Sequence, residues 1–246
     1  MTKLSVNLNK IALLRNQRDI GIPSVIASAK TVMQAGAHGI TVHPRPDERH
    51  IRYSDVYELA QIVTVEFNIE GNPFTGKYME IVSDVKPTQA TLVPDEPGAV
   101  TSDHGWDIQK NMQRLIPVIK KLKDAGIRVS LFMDPVIEPI KLAKQIGADR
   151  VELYTEPYAR AFSENTNVDK VLQRYVEAAK AAIDAGLGLN AGHDLNLHNL
   201  GKFCKNVPGV LEVSIGHALI ADALEMGLYN AVKEYLKILS QTEPQP

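Results

Sequence analysis

Cysteine is almost missing from this chain. Cys204 stands alone among 246 residues, which excludes an internal disulfide framework and any zinc site built from several thiolates. No charge of one sign dominates, since 27 Lys and Arg face 29 Asp and Glu for a net charge of −2. That balance leaves no electrostatic footprint for bulk nucleic-acid binding. Long apolar runs are absent too, and the longest fall far short of the roughly 20 residues a membrane span needs. The opening MTKLSVNLNK turns polar again within a few residues and has no signal-peptide core. A cytoplasmic protein with no nucleic-acid or membrane partner is the expectation. Also missing are a G-x-G-x-x-G or P-loop after any expected strand, an H-E-x-x-H helix and an H-x-H on the first strand. What is present is ordinary globular usage, 44% apolar and 23% charged. It excludes disordered, collagen-like and low-complexity chains.

A repeated grammar organises the chain. QAGAHGITVH (34–43), DAGIRVSLFMD (124–134), QIGADRVELY (145–154) and DAGLGLNAGH (184–193) each read as a helix end, a glycine and a short apolar strand. Gly36, Gly126, Gly147 and Gly186 suit the left-handed residue that commonly ends a helix. The strands read as apolar on both sides, as in a parallel sheet buried on both faces. Extending the pattern predicts strands near 4–8, 39–43, 65–69, 90–93, 127–132, 149–153, 187–191 and 211–215. Helices are predicted near 23–36, 54–63, 75–85, 108–125, 135–147, 166–186, 196–204 and 218–239. Eight alternations over about 250 residues fit a (β/α)₈ barrel, expected here as one domain over 1–240 with a frayed tail, 241–246. A doubly wound open sheet is the rival and lacks its phosphate loop. The connections 94–106 and 155–165 are long, as functional lids are.

Barrel chemistry sits at the carboxyl ends of the strands. Asn7, Asn9 and Lys10 follow the first expected strand, and His43 and Arg45 the second. Glu70 ends the third and Asp134 the fifth; Glu152 lies in the sixth; His193 and Asp194 end the seventh; Gly216 and His217 follow the eighth. Each has a plainer reading. His43 could bond a backbone carbonyl, Glu70 could form a structural salt bridge, and His217 could cap a helix. Asp134 before Pro135 reads as a helix cap, and Cys204 as packing. His193 in NAGHD lies beside small residues that allow close backbone approach to a ligand. The helix start at His217 offers free N–H groups for an anion. Arg15, Arg18, Arg45, Arg49 and Arg52 form either a solvated face or, for two or more of them, a grip on anionic substrates. A metal site is the alternative for so many histidines, but Arg45 beside His43 repels a cation.

These segments resemble one family. SVNLNKIALLRNQR (5–18), GITVHPRPDERHI (39–51), FNIEGN (67–72), TLVPD with VTSDHGWD (91–107), IRVSLFMD (127–134), VELYTEPYA (151–159), LNAGHDLNLHNL (189–200) and SIGHALIADAL (214–224) match in order. The family is that of the pyridoxine 5′-phosphate synthases of deoxyxylulose-dependent vitamin B6 biosynthesis. The resemblance implies a (β/α)₈ barrel with extra helices, assembled as a homo-octamer. It implies ring-closing condensation of 1-deoxy-D-xylulose 5-phosphate with 3-amino-2-oxopropyl phosphate, giving pyridoxine 5′-phosphate, phosphate and water without cofactor or metal.

Carried over by motif, His43 and Glu70 look like general bases, His193 like a proton donor and Glu152 like a charge stabiliser. Asn7, Arg18, Asp194, Gly216 and His217 would hold the aminoketone phosphate. Asn9, Lys10, Arg45, His50 and Thr101 would hold the deoxyxylulose phosphate. The chain departs from the common pattern twice. Many members carry Asp-His where Asn9-Lys10 stands, and glycine where Asp194 stands. Lys10 can still hold an anion, and the backbone N–H of Asp194 can serve as glycine's would. The residues taken alone stop at a barrel enzyme acting on small phosphorylated substrates by acid–base catalysis. Another phosphosugar barrel enzyme, a non-catalytic phosphosugar sensor or scaffold, and a metal hydrolase are the competing functions.

Overall fold

Eight strands close into a barrel in chain order. They are β1 (Lys3–Asn7), β2 (Gly39–Val42), β3 (Glu66–Gly71), β4 (Gln89–Leu92), β5 (Arg128–Met133), β6 (Arg150–Leu153), β7 (Gly188–His193) and β8 (Val210–Ile215). Every neighbouring pair is parallel, and β8 returns to β1. This computed structural model describes residues 1–18, 20–96, 98–99 and 102–242. Among these, the helices are α1 (Asn9–Asn16), α2 (Val25–Gln34), α3 (Tyr53–Ile62), α4 (Tyr78–Val85), α5 (Ile108–Asp124) and α6 (Ile137–Gln145). They continue as α7 (Glu156–Ser163), α8 (Val168–Asp184), α9 (Leu200–Asn206), α10 (His217–Met226) and α11 (Leu228–Ser240). The expected strands and the barrel are therefore observed, with extra helices. Gly36, Gly126, Gly147 and Gly186 all take positive φ, between 72° and 97°, just past helix ends.

Four details differ from the sequence reading. The segment after β1 is a helix, α1, although no side chain caps its start. The stretch 155–165 is mostly helical as α7, with its proline in the first turn, where a missing N–H costs nothing. The last predicted helix is two, α10 and α11, divided at Gly227 with φ of 82°. Asp134 caps no helix: α6 starts at Ile137 with Val136 in the cap position, and Asp134 Oδ2 accepts the N–H of Gly105 at 3.2 Å. From the predicted tail, Gln241 and Thr242 bond back to α11 through Ile238 O and Leu239 O, and 243–246 lie outside the described residues.

A larger correction concerns the inside of the barrel. The strands are not apolar on both faces. Leu4, Val6, Ile40, Val42, Phe67 and Ile69 join the hydrophobic core, while the alternate positions are polar. Strand pairing sets Asn7 beside Thr41, Thr41 beside Asn68, and Asn68 beside Gln89. The buried polar groups bond to one another. Ser5 Oγ meets Thr41 Oγ1 at 2.7 Å, Thr91 Oγ1 donates to Asn68 Oδ1 at 3.0 Å, and Arg128 Nε donates to Gln89 Oε1 at 2.8 Å. Such pairing is what burial of polar groups requires. At the amino-terminal end Glu66 pairs with both Lys3 and Arg128, and Arg150 Nη1 donates to Asn190 Oδ1 at 3.0 Å. The lower half of the barrel is thus a closed, charge-paired floor. The chemistry-bearing groups sit above it.

Candidate active site

A cavity of about 520 Å³ opens at the carboxyl ends of the strands. It gathers most of the residues that the sequence singled out. Asn7, Asn9 and Lys10 come from β1 and α1; His43, Arg45 and His50 from the segment after β2; Glu70 from β3; Glu152 from β6; His193 and Asp194 from β7; Gly216 and His217 from the β8–α10 junction. Arg18 is exposed just past α1 and does not line the cavity. Thr101 lies outside the described residues.

Backbone geometry explains why these side chains converge. His43 has its N–H held by Asn9 Oδ1 at 2.9 Å, and Asn7 Oδ1 in turn accepts the N–H of Asn9 at 2.9 Å. Asn7 Nδ2 donates to Glu70 Oε2 at 3.3 Å. One asparagine pair therefore ties β1 to the ends of β2 and β3 that carry His43 and Glu70. Gly216 fits against Asn7, whose Cβ would lie 3.1 Å from an added Cβ. The glycine of NAGHD serves differently from the sequence reading. A Cβ on Gly192 would lie 2.1 Å from Ser214 O, so the close backbone approach there is to β8 rather than to a ligand. His193 is held at φ of 53°, and its Nδ1 lies 2.6 Å from Asp194 Oδ2.

The arginines separate into distinct roles. Arg15 forms a buried, two-toothed pair with Asp55, at 2.5 and 2.9 Å, and also donates to His50 O at 3.1 Å. Arg49 pairs with Asp47 and donates to Ala99 O at 3.0 Å. Arg45 is the one of the five that lines the cavity. It is buried, pairs with Asp95, and donates to Ala99 O at 3.0 Å. Ser102 Oγ donates to the same Asp95 at 2.7 Å. The long segment after β4 is thereby pinned to the end of β2.

The protonation equilibria are pushed apart. Burial, reinforced by Arg45, His50 and Arg49, holds His43 well below the usual histidine range. Burial and then Arg45 and Lys10 bring His50 down to about 4. Both imidazoles are therefore neutral near pH 7. His193 goes the other way. Burial pulls it down, but the hydrogen bond and charge of Asp194, with Glu70 adding, carry it above its ordinary value. Glu70 faces the cavity but little bulk solvent, and burial pushes it up to about 7, with His193 opposing. Burial, and then Glu70 and Glu212, push Glu152 well above the usual carboxylate range. That favours its acid form, which can donate a hydrogen bond.

The sequence reading missed Ser102, Phe132, Asn196 and Ser214, which also line the cavity. Phe132 and Ser214 are inward positions of β5 and β8, legible only once strand register is known. Glu152 Oε2 and Ser214 Oγ are buried without a hydrogen-bond partner among the described residues. Among the described residues, no group of three or more His, Cys, Asp or Glu side chains is arranged to hold a metal ion. No helix among them is long and apolar enough to cross a membrane.

The comparisons with known proteins agree on one family. A family model described as pyridoxal phosphate biosynthesis protein PdxJ matches residues 4–241. The pyridoxine 5′-phosphate synthase of Cytophaga hutchinsonii is 54% identical over 241 residues, covering 98% of this chain and 100% of its own. That of Bacteroides fragilis is 54% identical over 239 residues, covering 97% of this chain and 100% of its own. Among solved structures, tryptophan synthase from M. tuberculosis superposes with a TM-score of 0.64 at 10% identity, over 97% of this chain and 93% of that one. That likeness speaks for the fold alone. With a match over nearly its whole length, this chain belongs to the PdxJ family of pyridoxal phosphate biosynthesis proteins.

Proposed function

We propose that the protein is a pyridoxine 5′-phosphate synthase. It condenses 1-deoxy-D-xylulose 5-phosphate with 3-amino-2-oxopropyl phosphate and releases pyridoxine 5′-phosphate, phosphate and water. The observation that carries this reading is one strand-end cavity that brings His43, His193, Glu70 and Glu152 together with separated proton affinities. An amine must attack a ketone, water and a phosphate must leave, and a carbon–carbon bond must close the ring. The sequence is redox-neutral, so its steps are proton transfers coupled to bond changes, and acids and bases of different strength serve them.

His43, neutral in its buried setting, and Glu70, poised near neutrality, are assigned as the bases. His193 is assigned as the proton donor. Glu152, whose acid form burial favours, is assigned to stabilise charge that develops on an oxygen. The start of α10, with Gly216 and His217 on the cavity wall, is assigned one phosphate, because first-turn N–H groups have no acceptor within their helix. Asn7 belongs to that side; Asp194, expected there by its motif, gives its N–H to Gly192 O at 2.8 Å and has no part in this assignment. Asn9, Lys10, Arg45 and His50 are assigned to the deoxyxylulose phosphate, with Thr101 on the same side by its motif. Arg18 stands outside the cavity lining and has no part in this assignment. The segment 94–106 is assigned as a lid that limits water around reactive intermediates. Deleting it without loss of turnover would count against that role.

A homo-octamer in the cytoplasm completes the reading and rests on the family resemblance. Exposed Leu14, Ile20, Ile22 and Leu224 are consistent with subunit contacts, and sedimentation of the purified protein tests the assembly. The function is tested by incubating chelator-treated protein with both substrates and following pyridoxine 5′-phosphate by absorbance and mass. Product that requires both substrates supports the reading. Intact substrates and no product, with the protein shown folded, would overturn it and favour another phosphosugar reaction.

A further inference from the structure

We propose that Asp194 is the positioning residue of His193. Its carboxylate holds the Nδ1 proton, so that the ring exchanges protons with substrate through Nε2. The inference rests on the synthase reading for the identity of that substrate, and on local geometry for the rest. Asp194 Oδ2 lies 2.6 Å from His193 Nδ1, within charge-assisted hydrogen-bond range. The carboxylate is 30% exposed and the imidazole 35%, so the pair is partly shielded from bulk water.

The turn that carries the pair is fixed independently of any ligand. The N–H of Asp194 is donated to Gly192 O at 2.8 Å and reaches Thr155 Oγ1 at 3.3 Å. Thr155 Oγ1 itself bonds Gly192 O. Asn199 Nδ2 donates to Asp194 O at 3.3 Å, and Tyr158 Oη holds Asn199 O at 2.9 Å. The backbone N–H of Asp194 is thus engaged inside the turn, and the residue meets the site through its carboxylate. Locking residue 194 from both sides fixes where that carboxylate points. His193 in turn sits in a left-handed conformation that a side chain rarely takes, and the carboxylate helps to hold its ring there.

Other groups act on the same ring. Glu70 from β3, Asp95 from the segment after β4 and His43 from β2 interact with it through charge, and Tyr154 at the end of β6 packs edge-on with centroids 6.1 Å apart. Among the described residues, Asp194 is an acid that reaches the ring by hydrogen bond. With Nδ1 committed, the ring gives its Nε2 proton to an oxygen that leaves as water, and regains one at a proton-releasing step. Asp194 keeps the same charge throughout, which is the orienting role that carboxylates commonly serve beside catalytic histidines.

The test pairs Asp194→Asn with Asp194→Ala and uses two readouts. One is the titration of the His193 ring by NMR with labelled histidine, which needs no substrate. The other is the pH profile of turnover. Sign follows from charge: the carboxylate favours the imidazolium, so its removal lowers the His193 midpoint and moves the alkaline limb of kcat to lower pH. Both variants are expected to show that shift. Their kcat loss should be larger than their KM change, and smaller than the roughly 10²–10⁴-fold loss from removing a general acid outright. An unmoved His193 titration in both folded variants would overturn the proposal. So would a lower KM for the aminoketone phosphate with the titration unmoved, which would make Asp194 a neighbour of phosphate instead. Wild-type protein that forms no product would sink the synthase reading while leaving the titration to decide the role of Asp194.

Discussion

Strand β3 carries the same side chain at both ends of the barrel interior, and the two glutamates behave oppositely. Glu66 sits on the floor between Lys3 and Arg128. Burial alone would raise it, but those two cations outweigh burial and bring it down to about 2. Glu70 sits four residues on, at the rim, where the donated bond comes from the neutral amide of Asn7. Buried Arg45 is paired with Asp95 instead, and the charge of His193 opposes burial only in part. Burial therefore wins, and Glu70 rises to about 7. The difference teaches where reactivity is made in this fold. The floor sets Glu66 between two cations and gains structure. The rim gives Glu70 a neutral amide as its bonded partner and gains a group that can exchange protons near neutral pH.

The largest expected effect of breaking this contrast is on turnover. Glu70→Gln or His193→Ala is expected to lower kcat by roughly 10²–10⁴-fold with the fold intact by circular dichroism. Wild-type turnover in either variant would remove that residue from the chemistry. Next comes Arg45→Ala. Loss of a charged hydrogen-bond donor is worth about 1.5–3 kcal/mol, so KM for the deoxyxylulose phosphate should rise by about ten- to a hundredfold. An unchanged affinity would take Arg45 out of the site. On the floor, Glu66→Gln is expected to lower unfolding free energy by about 1–3 kcal/mol in urea titration and to leave kcat within about twofold. A large kcat loss there would erase the division between floor and rim.

The smallest effects sharpen the comparison through pH. Glu66 has a folded value below its ordinary 4.5, so its contribution to stability is present above that pH and is lost as pH falls toward about 2. Glu70 has a folded value above 4.5, so stability declines as pH rises from there to about 7. Glu66→Gln should flatten the acid side of the stability curve, and Glu70→Gln the stretch between pH 4.5 and 7. Urea midpoints collected across pH read both slopes. Identical curves for the two variants would contradict the assignment.

Much of this architecture was legible in the chain because its signals are local. A glycine after each helix end and a short apolar run are steric and hydrophobic statements that need no tertiary context. The helices α1 and α7 were not legible for a related reason. NKIALLRN follows β1 with no capping side chain, and the proline of EPYARAFS reads as a breaker unless it is known to fall in the first turn. The polar inner face was misread because the runs after the helix-ending glycines look apolar on both sides; VEFNIE (65–70) does alternate, but only barrel closure turns its glutamates inward. The rim histidines and Glu70 stood out as polar groups at the ends of apolar runs. Ser214, Asn196 and the pairing of His193 with Asp194 depend on register and turn geometry, which spacing alone does not supply.

The most direct measurement is a carboxyl-detected NMR titration of the folded protein with labelled glutamate, assigned through Glu66→Gln and Glu70→Gln. The account predicts that Glu66 titrates near 2 and Glu70 near 7 in the same molecule. Both residues titrating together near the ordinary value of 4.5 would contradict it.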